Sequence, residues 1–270
     1  MRAGRAFEVP GLGLSLGLAR ISSLRPHEGL LEEDVRSLAS SMAGEGVQLD
    51  PLMVDSATMV VLDGTHRLEA LRRLGAIWAA VALVDYRDPG VRVGRWLRAV
   101  DPGAASAAAE RAGMRRVGGW EEAMEEVDSS GRRAAVLMPS GPSYLGPESE
   151  GSLGAHLMAE PIWRASPHVE LVRDDEVAKA LGSGRAVVYP PTPRKEEVLA
   201  AAESGTLFPP RSTRHVFRAR PLGLGVPLSE LRSEEPSPEV LGRRASSFRR
   251  LPPGSVVRGR RYDEEVVEFT

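Results

Sequence analysis

The sequence contains no cysteine, so disulfide cross-links, thiolate metal ligands and thiol redox chemistry are excluded. The histidines at 27, 66, 156, 168 and 215 have no tight ligand spacing, and a histidine-held metal site is not expected. Long apolar runs are also missing. The longest, Ala76 to Val84, has 9 residues, far short of a membrane span. No charged, apolar and small-residue leader opens the chain, so a cytoplasmic location with no membrane partner is the expectation. The net charge of -2 creates no overall basic field that would call for nucleic acid. Three catalytic or nucleotide signatures are absent: the Walker phosphate loop, the dinucleotide glycine fingerprint and the G-x-S-x-G elbow.

What is present is 270 residues with 42% apolar content, enough for one large core or a core with a smaller lobe. The most informative stretch is Met59 to Gly75. Met59, Val60, Val61 and Leu62 form a β-branched apolar run, as an interior strand would. Asp63-Gly64 signals a turn, and Leu68, Leu71 and Leu74 define one face of a short helix that Gly75 stops. Asp63, Thr65, His66 and Arg67 therefore lie where a strand ends and a helix begins, a position that favours anions.

Around this stretch the chain alternates. Residues 1 to 20 read as an irregular arm leading into a strand near Leu18 to Ile21. A helix is predicted over Glu32 to Met42, with Glu28 in the loop before it. Further helices are predicted over Ala104 to Arg111, Trp120 to Val127 and, in part, Leu171 to Leu181. Another helix is predicted to start at Thr192-Pro193. Strands are expected at Leu52 to Val54, Ala79 to Asp85, Arg133 to Met138 and Ala186 to Tyr189. Residues 139 to 170 are rich in Gly, Pro and Ser and read as an exposed crossing or insertion. The segment Phe208 to His215 is polar and broken by proline, a second candidate functional loop. Arg243 to Arg261 then holds 7 arginines and no acid, before acids return at Asp263, Glu264, Glu265 and Glu268. This C-terminal extension reads as a solvated tail folded onto the body, or as an oligomer or polyanion contact.

The polar turns carry Glu28, Asp63, His66, Arg211, Thr213, Arg214 and His215. Phosphoryl transfer needs a base near the acceptor hydroxyl, cations around the moving group and carboxylates for a divalent metal. This inventory can fill each role. The same residues admit plainer readings: a turn carboxylate at Asp63, a surface histidine at His66, solvated charges at Arg211 and Arg214.

Asp63-Gly64-Thr65-His66-Arg67, between its strand and helix, resembles the ParB/sulfiredoxin-like superfamily. A DNA-partitioning member would add a helix-turn-helix region, and no convincing one follows. The order of Pro26-His27-Glu28, the Asp63 loop, Asp85-Tyr86, Trp96, Lys195 to Val198 and Phe208 to His215 is similar to the archaeal free serine kinases, over most of residues 20 to 232. The resemblance implies a mixed α/β fold, with a ParB-like N-terminal catalytic domain over 1–100 and a second, smaller α/β lobe over 101–232; the arginine-rich C-terminal extension over 233–270 lies beyond it. The resemblance also implies transfer of a phosphoryl group from ADP or ATP, with Mg2+, to free L-serine. The product would be O-phospho-L-serine, for cysteine biosynthesis, made by a monomer or small homo-oligomer. Glu28 would activate the serine hydroxyl, and Asp63 would act with metal or substrate at the reacting centre. Ser41, Trp96, Thr213 and His215 would lie near serine. Gly64, Thr65, His66, Arg67, Arg211 and Arg214 would face nucleotide or phosphate. Two departures stand out: Thr65 replaces the first of two consecutive histidines, and Arg211 stands where lysine is frequent. The alternatives are a ParB-like nucleic-acid or nucleotide-binding regulator, motivated by the arginine run, and a kinase for threonine or another small hydroxyl compound, left open by Thr65.

Overall fold

The computed structural model describes residues 7–9, 14–237 and 239–270, in two units. The first comprises the chain up to Arg92 together with His215–Thr270, and the second is Val93–Arg214. The division differs from the expected 1–100, 101–232 and 233–270, because the chain after His215 returns to the first unit.

The first unit is built on a six-stranded sheet, in the order Phe7–Val9, Leu14–Arg20, Trp78–Val84, Leu52–Asp55, Val60–Asp63 and Arg25–Pro26. It is mixed: Leu52–Asp55 runs parallel to Trp78–Val84, and Arg25–Pro26 parallel to Val60–Asp63. Leu52, Val54, Val61 and Ala80 are fully buried, which is why these strands read as continuous apolar runs. The strand expected near Leu18 begins at Leu14, where Leu14, Leu16 and Leu18 alternate inward. Gly11 and Gly13 of the expected arm lie outside the described residues. Helix α1 (Glu32–Glu45) runs three residues beyond its predicted end and stops at Gly46, φ 72°. Helix α2 (Thr65–Arg73) is tied to it by Arg73, whose fork donates to both oxygens of Glu32 at 2.6 and 2.8 Å.

The C-terminal extension is folded. Glu265–Phe269 is the middle strand of a three-stranded sheet, parallel to Ala219–Leu222 and antiparallel to Phe248–Leu251. Val266 and Val267 are fully buried. The register sets Arg249 opposite Glu268, and Arg249 bonds that carboxylate at 2.7 Å. Arg250 pairs with Glu265, and Arg258 reaches Asp50 at 2.9 Å. The reading as a solvated tail is corrected: the acids that end the chain neutralise the preceding arginines across strands.

The second unit has an antiparallel six-stranded sheet ordered Arg115–Val117, Ser143–Leu145, Ala135–Leu137, Ala186–Tyr189, Leu97–Val100 and Glu170–Val172. Asp101 caps the helix Pro102–Arg111, accepting the Ala104 N–H at 2.8 Å. The expected crossing over 139–170 instead contains a packed helix, Gly151–Arg164, with Ala155, Ala159 and Ile162 buried. Its glycines and Pro161 hide an apolar stripe of helical period. The helix predicted from Thr192-Pro193 begins at Lys195, after Glu197 accepts the Arg194 backbone N–H at 2.9 Å.

Candidate active site

The central loop forms as the strand Val60–Asp63 turns directly into α2. Gly64 makes the turn with φ 103° and ψ 23°, a conformation that side chains disfavour. A Cβ there would lie 2.7 Å from the Leu52 side chain and 2.9 Å from Arg67 Nη1. Thr65 is the first helical residue and is buried. His66 Nε2 accepts the Leu31 backbone N–H at 2.9 Å. An amide can only donate, so this nitrogen carries no proton in that bond. Asp34 Oδ2 stands 3.7 Å from the same nitrogen. Arg67 donates to the Pro51 carbonyl at 3.0 Å. His66 and Arg67 thus fasten neighbouring backbone to the loop.

Glu28 lies in a polar group that is almost wholly enclosed. It is 8% exposed, and its neighbour His27 is 1% exposed. His27 Nδ1 donates to the Val61 carbonyl at 2.7 Å, which leaves Nε2 facing Glu28 Oε1 at 3.7 Å. The His27 ring meets His215 edge-on at 5.5 Å. His215 Nε2 bonds the Tyr86 hydroxyl at 2.8 Å, and its ring stacks on Phe217. Tyr86 is in turn fixed by its backbone N–H, which donates to buried Asp55 at 3.1 Å. The structure therefore brings Glu28 and His215, 187 positions apart in the chain's numbering, into one connected cluster with His27 between them.

Asp63 faces a second cluster. Its Oδ2 accepts from Arg220 Nη1 at 2.6 Å. Arg220 is itself buried, and its other nitrogens donate to Glu264 and, at 3.1 Å, to the His215 carbonyl. One guanidinium thus connects the central loop to the His215 backbone within the first unit. Asp63, Arg67, Arg220, Arg260, Tyr262 and Asp50 line a small polar cavity of about 60 Å³. Burial opposes ionisation of Asp63. Arg220, Arg67 and Arg260 outweigh it and hold the carboxyl well below the usual carboxylate range. Arg220 stays cationic: burial works against its charge, but Asp63 and Glu264 push its pKa up.

Among the described residues no three His, Cys, Asp or Glu side chains come together as a metal cluster. The expected metal role of Asp63 does not fit its surroundings, because the carboxylate is engaged by Arg220 and faces two further guanidinium groups.

The remaining expected residues are placed as follows. Ser41 is exposed on α1, and its hydroxyl donates to Glu45 at 2.7 Å. Trp96, Arg211, Thr213 and Arg214 belong to the second unit. There the Trp96 backbone N–H donates to the Ser212 carbonyl at 2.9 Å, and the Arg214 guanidinium lies 5.5 Å from the Trp96 ring. Arg98 holds the late loop by donating to the Pro210 and Arg211 carbonyls at 2.5 and 3.2 Å. Arg211 has φ 55°, rare for a non-glycine residue and often stored at functional loops. Thr213 is buried.

Sequence reasoning named His27 and Tyr86 within matching motifs but gave them no role, and it missed Arg220 and Glu264 as site residues. No local signal marks Arg220: Arg218, in the bend before the strand Ala219–Leu222, is exposed, whereas Arg220 within that strand is buried. Arg218 forks onto Asp88 at 2.5 and 2.7 Å, leaving Arg220 among buried Ala219 and Leu222.

No family model matches the chain. The ADP-dependent L-serine kinase SerK of Thermococcus kodakarensis is 24% identical over 237 residues, spanning 83% of this chain and 96% of that protein. The chain is similar to the archaeal L-serine kinases over most of its length. A solved free serine kinase in complex with AMP has a TM-score of 0.69 at 22% identity, covering 83% of this chain and 97% of that one. The two share a mixed α/β fold with two lobes. A ParB-like protein of Sulfolobus acidocaldarius is 26% identical over 199 residues, 72% of this chain and 86% of that protein. The serine-kinase likeness thus extends further along both chains than the ParB-like one.

Proposed function

We propose that the protein transfers the terminal phosphoryl group of magnesium ADP or ATP to the hydroxyl of free L-serine, forming O-phospho-L-serine. The observation that carries this reading is the likeness to a serine kinase over 96% of that protein's length. The enclosed Glu28–His27–His215 cluster supports it. The serine oxygen attacks phosphorus, the bond to the nucleotide's bridging oxygen breaks, and the hydroxyl proton passes to Glu28. Phosphoryl transfer is mostly positioning and electrostatics, so Glu28 need only orient the hydroxyl and take its proton late. His27 Nε2 stands 3.7 Å from the Glu28 carboxylate.

Asp63 has a different task. A carboxyl held this far below its usual range cannot donate a proton at neutral pH. It gathers Arg220, and with it the guanidinium charge near the central loop. In this reading Gly64, Thr65, His66, Arg67, Arg211 and Arg214 serve nucleotide and phosphate, while Ser41, Trp96, Thr213 and His215 serve the amino acid. The product would supply a pathway that replaces the phosphate by sulfur, as in cysteine biosynthesis.

The test is a panel of labelled L-serine, L-threonine and other small amino-alcohols with magnesium ADP and ATP. Phosphoserine as the main product supports the reading, and faster turnover of another acceptor transfers it to that compound. No turnover of any acceptor overturns it. The ParB-like likeness keeps one rival in view, a nucleic-acid or nucleotide-binding regulator. A salt-dependent shift of duplex DNA without phosphoserine formation would favour that rival.

A further inference from the structure

We propose that the C-terminal segment is a working part of this site, with Glu264 a positioning residue that holds Arg220 in place for Asp63. The inference rests on the kinase reading for its catalytic consequence. It concerns a segment beyond residues 20 to 232, over which the resemblance runs.

Glu264 immediately precedes the strand Glu265–Phe269, whose parallel pairing with Ala219–Leu222 sets Arg220 opposite Val266. That register brings the Glu264 carboxylate to Arg220 Nε. The two side chains are each 4% exposed, whereas Asp63 on the other side of Arg220 is 34% exposed. The solvent-facing pair is therefore held from its enclosed end. A guanidinium is planar, so fixing Nε fixes the directions of both Nη atoms. Those atoms reach Asp63 at 2.6 Å and the His215 carbonyl at 3.1 Å. The ring of Phe217 lies 4.9 Å from the guanidinium carbon, and the segment adds the ring of Tyr262 at 5.7 Å. Arg260, from the same segment, lines the cavity beside Asp63.

Stability alone does not account for this arrangement. Buried ion pairs are often replaced by apolar residues without loss of stability. What an apolar residue at 264 could not do is aim Arg220. If Arg220 turned away, Asp63 would lose its hydrogen bond and the central loop would lose its tie to His215.

The test uses the full-length protein and three substitutions. Glu264→Ala removes the anchor. Glu264→Asp keeps the charge but retracts it by one methylene. Glu264→Gln keeps an acceptor of the same length without the charge. Each variant is assayed for phosphoserine formation well below its melting temperature. The fraction of folded protein is counted by circular dichroism. Positioning predicts a kcat loss of roughly 10–100-fold in Glu264→Ala, the scale typical when an outer partner of a reacting group is removed. Glu264→Asp should fall between, Glu264→Gln should recover most of the rate, and KM for serine should change little. A purely structural role would lower stability while leaving kcat of the folded protein unchanged in all three variants, and that result overturns the proposal. Glu264→Asp and Glu264→Gln carry the same comparison if Glu264→Ala does not fold.

A second readout separates this inference from the kinase reading. In nitrogen-15 spectra the Arg220 Nε–H, identified by its loss in Arg220→Lys, should be protected from exchange in the native protein and in Glu264→Gln. It should lose protection in Glu264→Ala and Glu264→Asp. If the native protein does not phosphorylate serine, the kinase reading fails and this signal alone decides the positioning. Retained protection in Glu264→Asp or Glu264→Ala overturns it.

Discussion

Replacing Gly64 by alanine should damage the central loop in a way that can be calculated. The residue has φ 103°, and the added methyl would meet Leu52 at 2.7 Å and Arg67 Nη1 at 2.9 Å. The left-handed backbone costs about 1–2 kcal/mol for a residue with a Cβ. Leu52 is fully buried and has no room to retreat. Crowding of that kind adds about 1–3 kcal/mol. Together the substitution should destabilise the first unit by roughly 2–5 kcal/mol. Gly75 provides the control, since it has φ 71° but nothing within 4 Å of an added Cβ. Gly75→Ala should carry only the backbone part, about 1–2 kcal/mol. Urea denaturation followed by far-ultraviolet circular dichroism measures both. The same two proteins should differ in ADP affinity, because only at Gly64 does the methyl push on Arg67. Equal destabilisation at the two glycines would refute the claim that close approach, rather than backbone sign alone, requires glycine in this loop.

Two further outcomes are expected. Glu28→Gln should keep ADP affinity and lose kcat by about 100-fold or more, within the range for a positioned acid–base group; unchanged turnover would remove Glu28 from the mechanism. His156 concerns stability. Burial, aided by Arg98 and Arg95 and opposed by its bond to the Pro191 carbonyl, pushes its pKa down from 6.5 to about 3. The folded state therefore refuses a proton that the unfolded chain accepts below pH 6.5. Its contribution is fully present above that pH and is lost as pH falls toward 3, up to roughly 5 kcal/mol. His156→Phe should flatten the acid limb of a stability–pH curve over that window, and an unaltered limb would contradict this account.

The parts of the fold that could be read in advance share one property: their signal is local. The strand-turn-helix around Asp63 shows as a β-branched run, an Asp-Gly pair and leucines of helical period, all within Met59 to Gly75. The helix Gly151–Arg164 failed this reading because Gly151, Gly154 and Pro161 look like punctuation. Its packed face supplies what propensity does not. The C-terminal sheet failed it for another reason. Phe248-Arg249-Arg250-Leu251 looks like a charged tail until Glu265 and Glu268 are laid across it, and nothing local announces that pairing. The same holds at the site. Glu28, Asp63 and His215 can be picked out as polar residues in turns. Arg220, which ties Asp63 to the His215 carbonyl, and its partner Glu264 are ordinary charges in sequence and become special only when a parallel register places both in the interior.

Thr65 is the point at which the central loop departs from the pattern it resembles, and its position makes the departure testable. It is the first residue of α2, and the preceding cap residue, Gly64, offers no side-chain acceptor to the helix. The first-turn N–H groups are therefore uncapped by that side chain and favour an anion. A hydroxyl at 65 could join them as a donor to phosphate, or the buried residue could simply pack. Two substitutions separate these roles. Thr65→Val keeps the shape and removes the hydroxyl, whereas Thr65→Ser keeps the hydroxyl and removes a methyl. A hydrogen bond to a charged group contributes about 1.5–3 kcal/mol, so a phosphate contact predicts that Thr65→Val raises KM for the nucleotide by about tenfold or more. Thr65→Ser would then bind normally and be less stable by about 1 kcal/mol. A packing role predicts the reverse order: Thr65→Val behaves as the native protein and Thr65→Ser is the weaker of the two. Because the two orders are opposite, one pair of titrations decides whether threonine here substitutes for a phosphate-facing imidazole or only fills its space.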